Sequence, residues 1–493
     1  MTTTGTTRSY RRRLDNVVLR WQARLDSEWS DRTLPWLLAA GLFVVLLLLS
    51  LARVRSLDGT ADLAGYVQAV WLINAKLEPV VTIGNDMNVL GSQAAFVIYP
   101  VSLLSHVMPG VYALVTLQSG ALALTVVPIW RVARRLAELR VGGAFVLVFV
   151  YALYPTLHTI NLAGFFPETL ALPAIVYAAY YGLSKHWRRF LACCIFIVAC
   201  RADFGLVVAG LGALVWAEGR KSEGRVVFVG GILYTVLAIF VIEPRFGNGS
   251  AHVASYPTFG TTPLGVLGGM FAHPGDVISA VTREQNFDLF VTLFAPVAFI
   301  PLLAPRYLLP VLPLELFFLI SAVPPETVFG QQAIAITAFV FVASAFALAK
   351  IGRRGIERVT VDRRVLAVMV LAATVFFIRD SATSPYRSPW GWGGQDIVDL
   401  ARQNAVDAVG DRSVRASPSV LVDLAERPQV HELRPDAAPD PAAIADGVDA
   451  VIIDDRSVSG WDDTDHRIVR TGLERKGFEQ VSDEQGIELF LRD

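Results

Sequence analysis

Six ionisable residues stand out because each sits beside or within an apolar stretch. They are Asp62, Asp86, Glu168, Arg201, Asp203 and Glu315. An ionisable group at the centre of a membrane helix costs about 2.5–3.5 kcal/mol on insertion scales, so each invites a reason. Arg201-Ala202-Asp203 is a charged turn between two apolar arms, and Glu168 follows Phe165-Phe166-Pro167. Asp62 and Asp86 belong to one polar loop. A cation flanked by carboxylates suits an anionic ligand together with a general base. A carboxylate pair such as Asp62 and Asp86 could also hold a divalent cation, although no spacing here demands one.

Each residue also has a plainer reading. Asp62 could cap the helix it opens. Pro167-Glu168 fits a first helical turn, where a carboxylate offsets the dipole. Arg201 and Asp203 could pair only with each other, Asp86 could face solvent, and Glu315 could be a packing residue. Cys193, Cys194 and Cys200 share one apolar run and have no metal-ligand spacing, so they read as packing groups.

The elements that must position these groups are membrane helices. Of the 493 residues, 54% are hydrophobic, and the mean hydropathy is +0.49. Apolar runs fill residues 34–378, many near the roughly 20 residues needed to cross a bilayer. The spacing predicts about eleven spans, over 34–52, 110–130, 142–158, 167–183, 190–200, 204–218, 226–243, 287–304, 308–323, 331–349 and 364–379. With a cytoplasmic N-terminus, the inner segments hold 24 Lys and Arg and the outer loops six. That bias orients the chain and places its C-terminus outside. No cleavable signal peptide is evident, and the first apolar stretch reads as an uncleaved helix.

The arms 190–200 and 204–218 allow only about 22 Å each at 1.5 Å per residue. They are expected to form a broken hairpin with Arg201 below the outer surface, beside a cavity. The first outer loop, 53–109, starts with an interfacial helix carrying Leu63, Val67, Val70 and Trp71 on one side. Ala94–Leu104, broken by Pro100, is expected to lie in the interface. The loop 244–286 is rich in Gly and Pro and contains a formal sequon at Asn248, which carries no weight here. Trp390-Gly-Trp-Gly-Gly reads as an interfacial linker.

The domains expected are therefore a basic N-terminus (1–33), a transmembrane domain (34–379) and an outer tail (380–493). From Arg379 onward there are 13 Lys and Arg against 23 Asp and Glu, a balance that does not favour nucleic acid. The tail alternates helices and short strands, which predicts a small α/β domain with no phosphate loop or dinucleotide fingerprint.

The motifs resemble those of a bacterial and archaeal family of predicted membrane proteins of unknown function. Asp62-Leu63, Gln68-Ala69 and Trp71 are similar to its Asp-Leu-Gly…Asp-Gln-Ala-Leu-Trp pattern. Phe165-Phe166-Pro167-Glu168 resembles its Phe-His-Pro-Glu, and Arg201-Ala202-Asp203-Phe204-Gly205 its Glu-Asp-x-Gly turn. Leu90-Gly91-Ser92-Gln93 with Tyr99-Pro100 resembles its Gly-Asp-His-Phe…Pro stretch. Phe166 and Gln93 stand where that family has histidine, and Ala202 where it has an acid. The likeness covers about residues 56–220.

That family in turn looks like the GT-C fold of glycosyltransferases, which take sugar from a polyprenyl-phosphate donor at the outer membrane face. The resemblance implies transfer to a cell-envelope acceptor. It makes Asp62 the catalytic base that deprotonates an acceptor hydroxyl, or a group that orients it. By its charge Arg201 is a candidate for the donor phosphate, and Asp203, Glu168, Asp86 and Gln68 are expected to bind substrate. A transporter or flippase of envelope precursors, with Glu315 in a working role, and a non-catalytic scaffold remain open.

Overall fold

A computed structural model of the chain describes residues 26, 28–57, 60–84, 86–247, 251–322, 332–355, 358–434, 439–458 and 460–492. Most of the expected basic N-terminus and the Asn248 sequon lie outside those residues.

The first long helix, α1 (Glu28–Arg55), has Glu28 and Asp31 in its first turn and Arg53 and Arg55 in its last, matching the helix dipole. Its lower end is pinned by Arg134, which is fully buried. Arg134 Nε donates to Asp31 Oδ1 over 2.6 Å and its Nη1 to Asp26 Oδ1 over 2.8 Å. A short loop leads into α2 (Ala61–Asn74). Next come α3 (Gly110–Leu124), the bent pair α4 (Val141–Ala152) and α5 (Pro155–Leu162), and α6 (Ala171–Leu183). Helices α7 (Trp187–Cys200) and α8 (Phe204–Ala217) follow, then α9 (Lys221–Leu237), α10 (Pro263–Ala272), α11 (Pro274–Val281), α12 (Glu284–Phe294), α13 (Leu312–Ile320), α14 (Ala333–Ile351) and α15 (Arg363–Asp380).

By length and apolar composition, five of these elements suffice to cross a membrane, or seven if each bent pair counts as one span. The five run over Glu28–Arg55, Gly110–Leu136, Lys221–Arg245, Ala333–Ile351 and Arg363–Gly391. They differ in their surroundings. Helix α14 is the central one: Phe339 and Phe341 are enclosed, and Tyr151 meets the Phe341 ring edge-on at 5.0 Å. Helices α1, α9 and α15 instead turn Leu37, Leu48, Leu233 and Leu371 outward, each at least 60% exposed. Belts of that kind suit lipid and not water.

Three expected spans are interrupted, one of them, 142–158, by the 43° bend between α4 and α5. The stretch 287–304 is helical only to Phe294 and then runs through 3₁₀ turns, because Pro296, Pro301 and Pro305 remove the donors a helix needs. The next, 308–323, keeps only the nine-residue α13. The Gly- and Pro-rich loop 244–286 is more regular than its composition suggests. Pro263 and Pro274 each open a helix, and the two helices meet at 96°. Residues 94–106 form two short helical turns, too short to cross.

Helices α8 and α9 approach closely through glycine. A Cβ on Gly205 would lie 2.7 Å from Gly231 O, and one on Gly212 would lie 2.9 Å from Gly224 O. Small residues at such a crossing let the backbones touch.

The tail holds a five-stranded sheet of β1 (Val414–Ala416), β2 (Val430–Glu432), β3 (Ala450–Asp454), β4 (Phe478–Glu484) and β5 (Ile487–Arg492), in the order β2-β1-β3-β5-β4. Strand β1 is parallel to β2 and β3, and β5 is antiparallel to β3 and β4. The β4–β5 turn places Gln485 and Gly486 at φ 57° and 78°, the positive angles a tight hairpin favours. Helices α16 (Ile397–Val409) and α17 (Asp463–Arg475) each open on a reciprocal capping box, Asp396 with Asp399 and Asp462 with Asp465. The linker packs against the end of α1, where Gly393 N donates to Ser56 Oγ over 3.1 Å. The tail and the C-terminal end of α1 thus share one side of the molecule.

Candidate functional site

The site is built where α2, the 91–93 turn, the 164–168 loop and the α7–α8 break meet. Arg201 leaves α7 in an extended conformation at φ −161°, ψ 142°, which ends the helix and turns its side chain inward. Its Nη1 donates to Glu168 Oε1 over 2.9 Å, with Glu168 fully buried. Its Nε lies 2.9 Å from Asp203 Oδ1, but out of line for a hydrogen bond, so that oxygen has no donor. The guanidinium also faces the Phe318 ring at 5.6 Å. Backbone bonds lock the turn to the first loop: Ala202 N donates to Gln93 O over 2.8 Å and Val97 N to Ala199 O over 2.9 Å.

The second wall is α2. Thr60 is its cap: Thr60 Oγ1 accepts from Leu63 N and donates to Ala163 O over 2.7 Å. Asp62 is therefore not the cap. Among the described residues nothing hydrogen-bonds or ion-pairs with its carboxylate. Asp62 is open to solvent on one side while protein crowds the rest, and that burial pushes its carboxyl above the ordinary value. One helical turn on, Tyr66 lies within electrostatic reach of Asp62, Glu168 and Arg201 together. Its hydroxyl donates to Gln93 Oε1 over 3.3 Å, and its ring meets Phe165 edge-on at 5.6 Å. Tyr66 thus feels the charge of the expected base and of the buried ion pair alike.

Glu315 joins this neighbourhood from α13, near Arg201 and Asp203, with only 6% of its surface exposed. Glu315 Oε1 and Glu168 Oε2 are both buried without a hydrogen-bond partner. Among the described residues, three carboxyl groups, those of Glu168, Asp203 and Glu315, thus surround the Arg201 guanidinium.

Two expected substrate-binding residues lie elsewhere. Gln68 is fully buried, and its amide is saturated. Nε2 donates to Thr82 Oγ1 over 2.8 Å and to Arg427 O over 3.3 Å, while Oε1 accepts from Thr82 N over 2.9 Å. Thr82 Oγ1 in turn donates to Val430 O over 2.6 Å. Gln68 ties α2 to the tail, which leaves its amide no group for a substrate. Asp86 belongs to a cleft between the 80–88 hairpin and the tail, in electrostatic reach of Arg415 and His431. Asp62 does not line that cleft, so the structure does not assemble Asp62 and Asp86 as a cation-binding pair.

The chain matches the family described as Predicted membrane protein (DUF2079) over residues 53–489. It belongs to that family. The DUF2079 match begins at the end of α1 and takes in α2, the charged turn and nearly all of the tail, so body and tail are parts of one family unit. A search of curated proteins finds no match.

Sequence reasoning did not single out Tyr66, although its i+4 spacing from Asp62 puts both on one helical face. Nor did it find Arg415, His431 or Trp461, which come together only through the tail's fold. Among the described residues, one group converges like metal ligands: Asp455, His466 and Glu488, with ligand atoms within 4.8 Å of one another. Arg470 Nη2 already bonds Glu488 Oε1 over 2.7 Å, which sets a cation where a metal would sit.

Proposed function

We propose that this membrane protein is a GT-C-type glycosyltransferase moving a sugar from a lipid-phosphate donor to a cell-envelope acceptor on the outer face. The reading takes eleven crossings, a cytoplasmic N-terminus (1–33), a membrane body (34–379) and an extracytoplasmic tail (380–493). The observation that carries it is Tyr66, which stands in electrostatic reach of the unpaired Asp62 carboxylate on one side and the Arg201–Glu168 pair on the other.

In this reading Asp62 takes the proton of an acceptor hydroxyl as its oxygen bonds to the anomeric carbon. The bond from that carbon to the donor phosphate breaks, and the phosphate leaves with the electron pair. Arg201 meets that charge by exchanging Asp203, the partly exposed partner that it holds without a hydrogen bond, for a phosphate oxygen. Glu168 stays in place and keeps the guanidinium aimed.

The test is complementation of a deletion strain with Asp62→Asn, reading envelope glycans by linkage analysis. The expected result is the deletion profile at wild-type protein levels. A wild-type profile from Asp62→Asn sinks the catalytic role.

A transporter or flippase has one observation of its own, the buried and unpaired Glu315 Oε1. Uptake of an envelope precursor into proteoliposomes, lost in Glu315→Gln and kept in Asp62→Asn, would favour it.

A further inference from the structure

The 80–88 hairpin and the tail enclose a cleft of about 430 Å³, within the usual range of small-molecule sites. The hairpin contributes Thr82 and Asp86, and the tail contributes Arg415, His431, Asp446 and Trp461. The cleft's lining carries charge of both signs, with Arg415 and Arg434 against Asp86, Glu432, Asp440 and Asp446.

The lining narrows the chemistry of that occupant. A phosphate or carboxylate would face Asp86, Glu432, Asp440 and Asp446, and a bare cation would face the guanidinium groups of Arg415 and Arg434. Burial and the neighbouring Arg415 hold His431 below the ordinary imidazole value, which favours its neutral form. Apolar wall is supplied by Leu433, Ile444 and the Trp461 ring. Hydroxyls both donate and accept, and a sugar ring also presents an apolar C–H face. A neutral polyhydroxyl ligand therefore suits the guanidinium groups, the carboxylates and the ring together.

We propose that this cleft is a saccharide-binding subsite, taking a neutral mono- or disaccharide end of an envelope glycan. Calling that glycan the acceptor rests on the transferase reading; the binding itself does not. The cleft is linked to the candidate active site through Thr82, which lines it and hydrogen-bonds Gln68 on the helix that carries Asp62.

The test uses the full chain purified in detergent. Saturation-transfer NMR and titration calorimetry measure binding of maltose, mannobiose, chitobiose and arabinobiose, with inorganic phosphate and trilysine as contrasting probes. At least one disaccharide is expected to bind saturably. Trp461→Ala and Arg415→Gln should weaken it by about tenfold or more, Asp86→Asn should weaken it too, and Asp62→Asn should leave it unchanged. Melting curves check that each variant folds, and Asp86→Asn, on the exposed hairpin, guards against misfolding of the tail variants. The proposal is overturned if no disaccharide binds, if only phosphate or trilysine binds, or if the folded variants bind like the wild type. Lost binding alongside a glycan change in the Asp62→Asn strain removes only the subsite, and the reverse pair of results removes only the transferase.

Discussion

Arg201 Nη1 and Glu168 Oε1 lie 33 residues apart in the chain and meet at 2.9 Å with almost no solvent on either. Breaking a buried pair from one side costs about 3–5 kcal/mol, because the remaining charge is stranded. Glu168→Gln should therefore lower the melting point sharply. The double variant Glu168→Leu with Arg201→Met should recover part of the loss, since it strands neither member of the pair, while Asp203 and Glu315 lose their cation. Equal melting points for the single and double variants would show that the pair is not the source of the cost.

Asp62 carries a testable pH signature. Burial raises its carboxyl above 3.8, so the folded state holds the proton more tightly than the unfolded state. Stability then falls as pH rises through the window between the ordinary and the raised value, and the cost is present in full above that window. Asp62→Asn should accordingly melt higher than the wild type at neutral pH, with the gap closing below the ordinary carboxylate value. A gap that stays constant across pH would exclude this account.

Much of this organisation was legible in the chain itself, for identifiable reasons. Runs of apolar residues announce helices wherever they fall, and the break at Arg201-Ala202-Asp203 was visible because two charges interrupt two apolar arms. The tail's strands followed from runs such as Ala450–Asp454, which is buried along its whole length. The failures share one cause. Gln68 and Asp86 were read by motif and loop position, but their surroundings come from the tail, more than 300 residues away. The break at Phe294 was missed because hydropathy sees Pro296 and Pro301 as apolar and not as missing donors.

Gln68 offers a direct measure of how firmly the tail is held. Gln68→Leu keeps the bulk but leaves Thr82 N and Ile83 N without their acceptor, a loss of about 1–3 kcal/mol. Limited proteolysis in detergent should release the tail faster in this variant than in the wild type. An unchanged cleavage rate would mean that other contacts, such as Glu426 Oε1 accepting from Gly110 N, hold the tail without it.

The orientation proposed here can be read with an impermeant maleimide on intact cells. Asp483 and Arg354 are both well exposed, on the tail and on the opposite side respectively. Asp483→Cys should label and Arg354→Cys should not, until the membrane is opened. Of the native thiols Cys194 and Cys200 are buried, and the partly exposed Cys193 is replaced by Ser in the parent chain. Labelling of Arg354→Cys alone would invert the topology.

Gly164 tests whether the approach of α2 to the 164–168 loop sets the site. Its φ of +120° is one that side chains rarely adopt, and an added Cβ would fall 2.8 Å from Leu63 Cβ and 3.0 Å from Thr60 Oγ1. Those two residues form the start of α2, so relief of the clash must move the turn that carries Asp62. Gly164→Ala should cost about 1–3 kcal/mol through backbone strain alone, with the clash added. If transfer depends on Asp62 standing beside Tyr66, the variant should also lose envelope glycan at temperatures where it is still folded. Lost stability with full glycan synthesis would separate the two effects, and would show that Asp62 works without this contact.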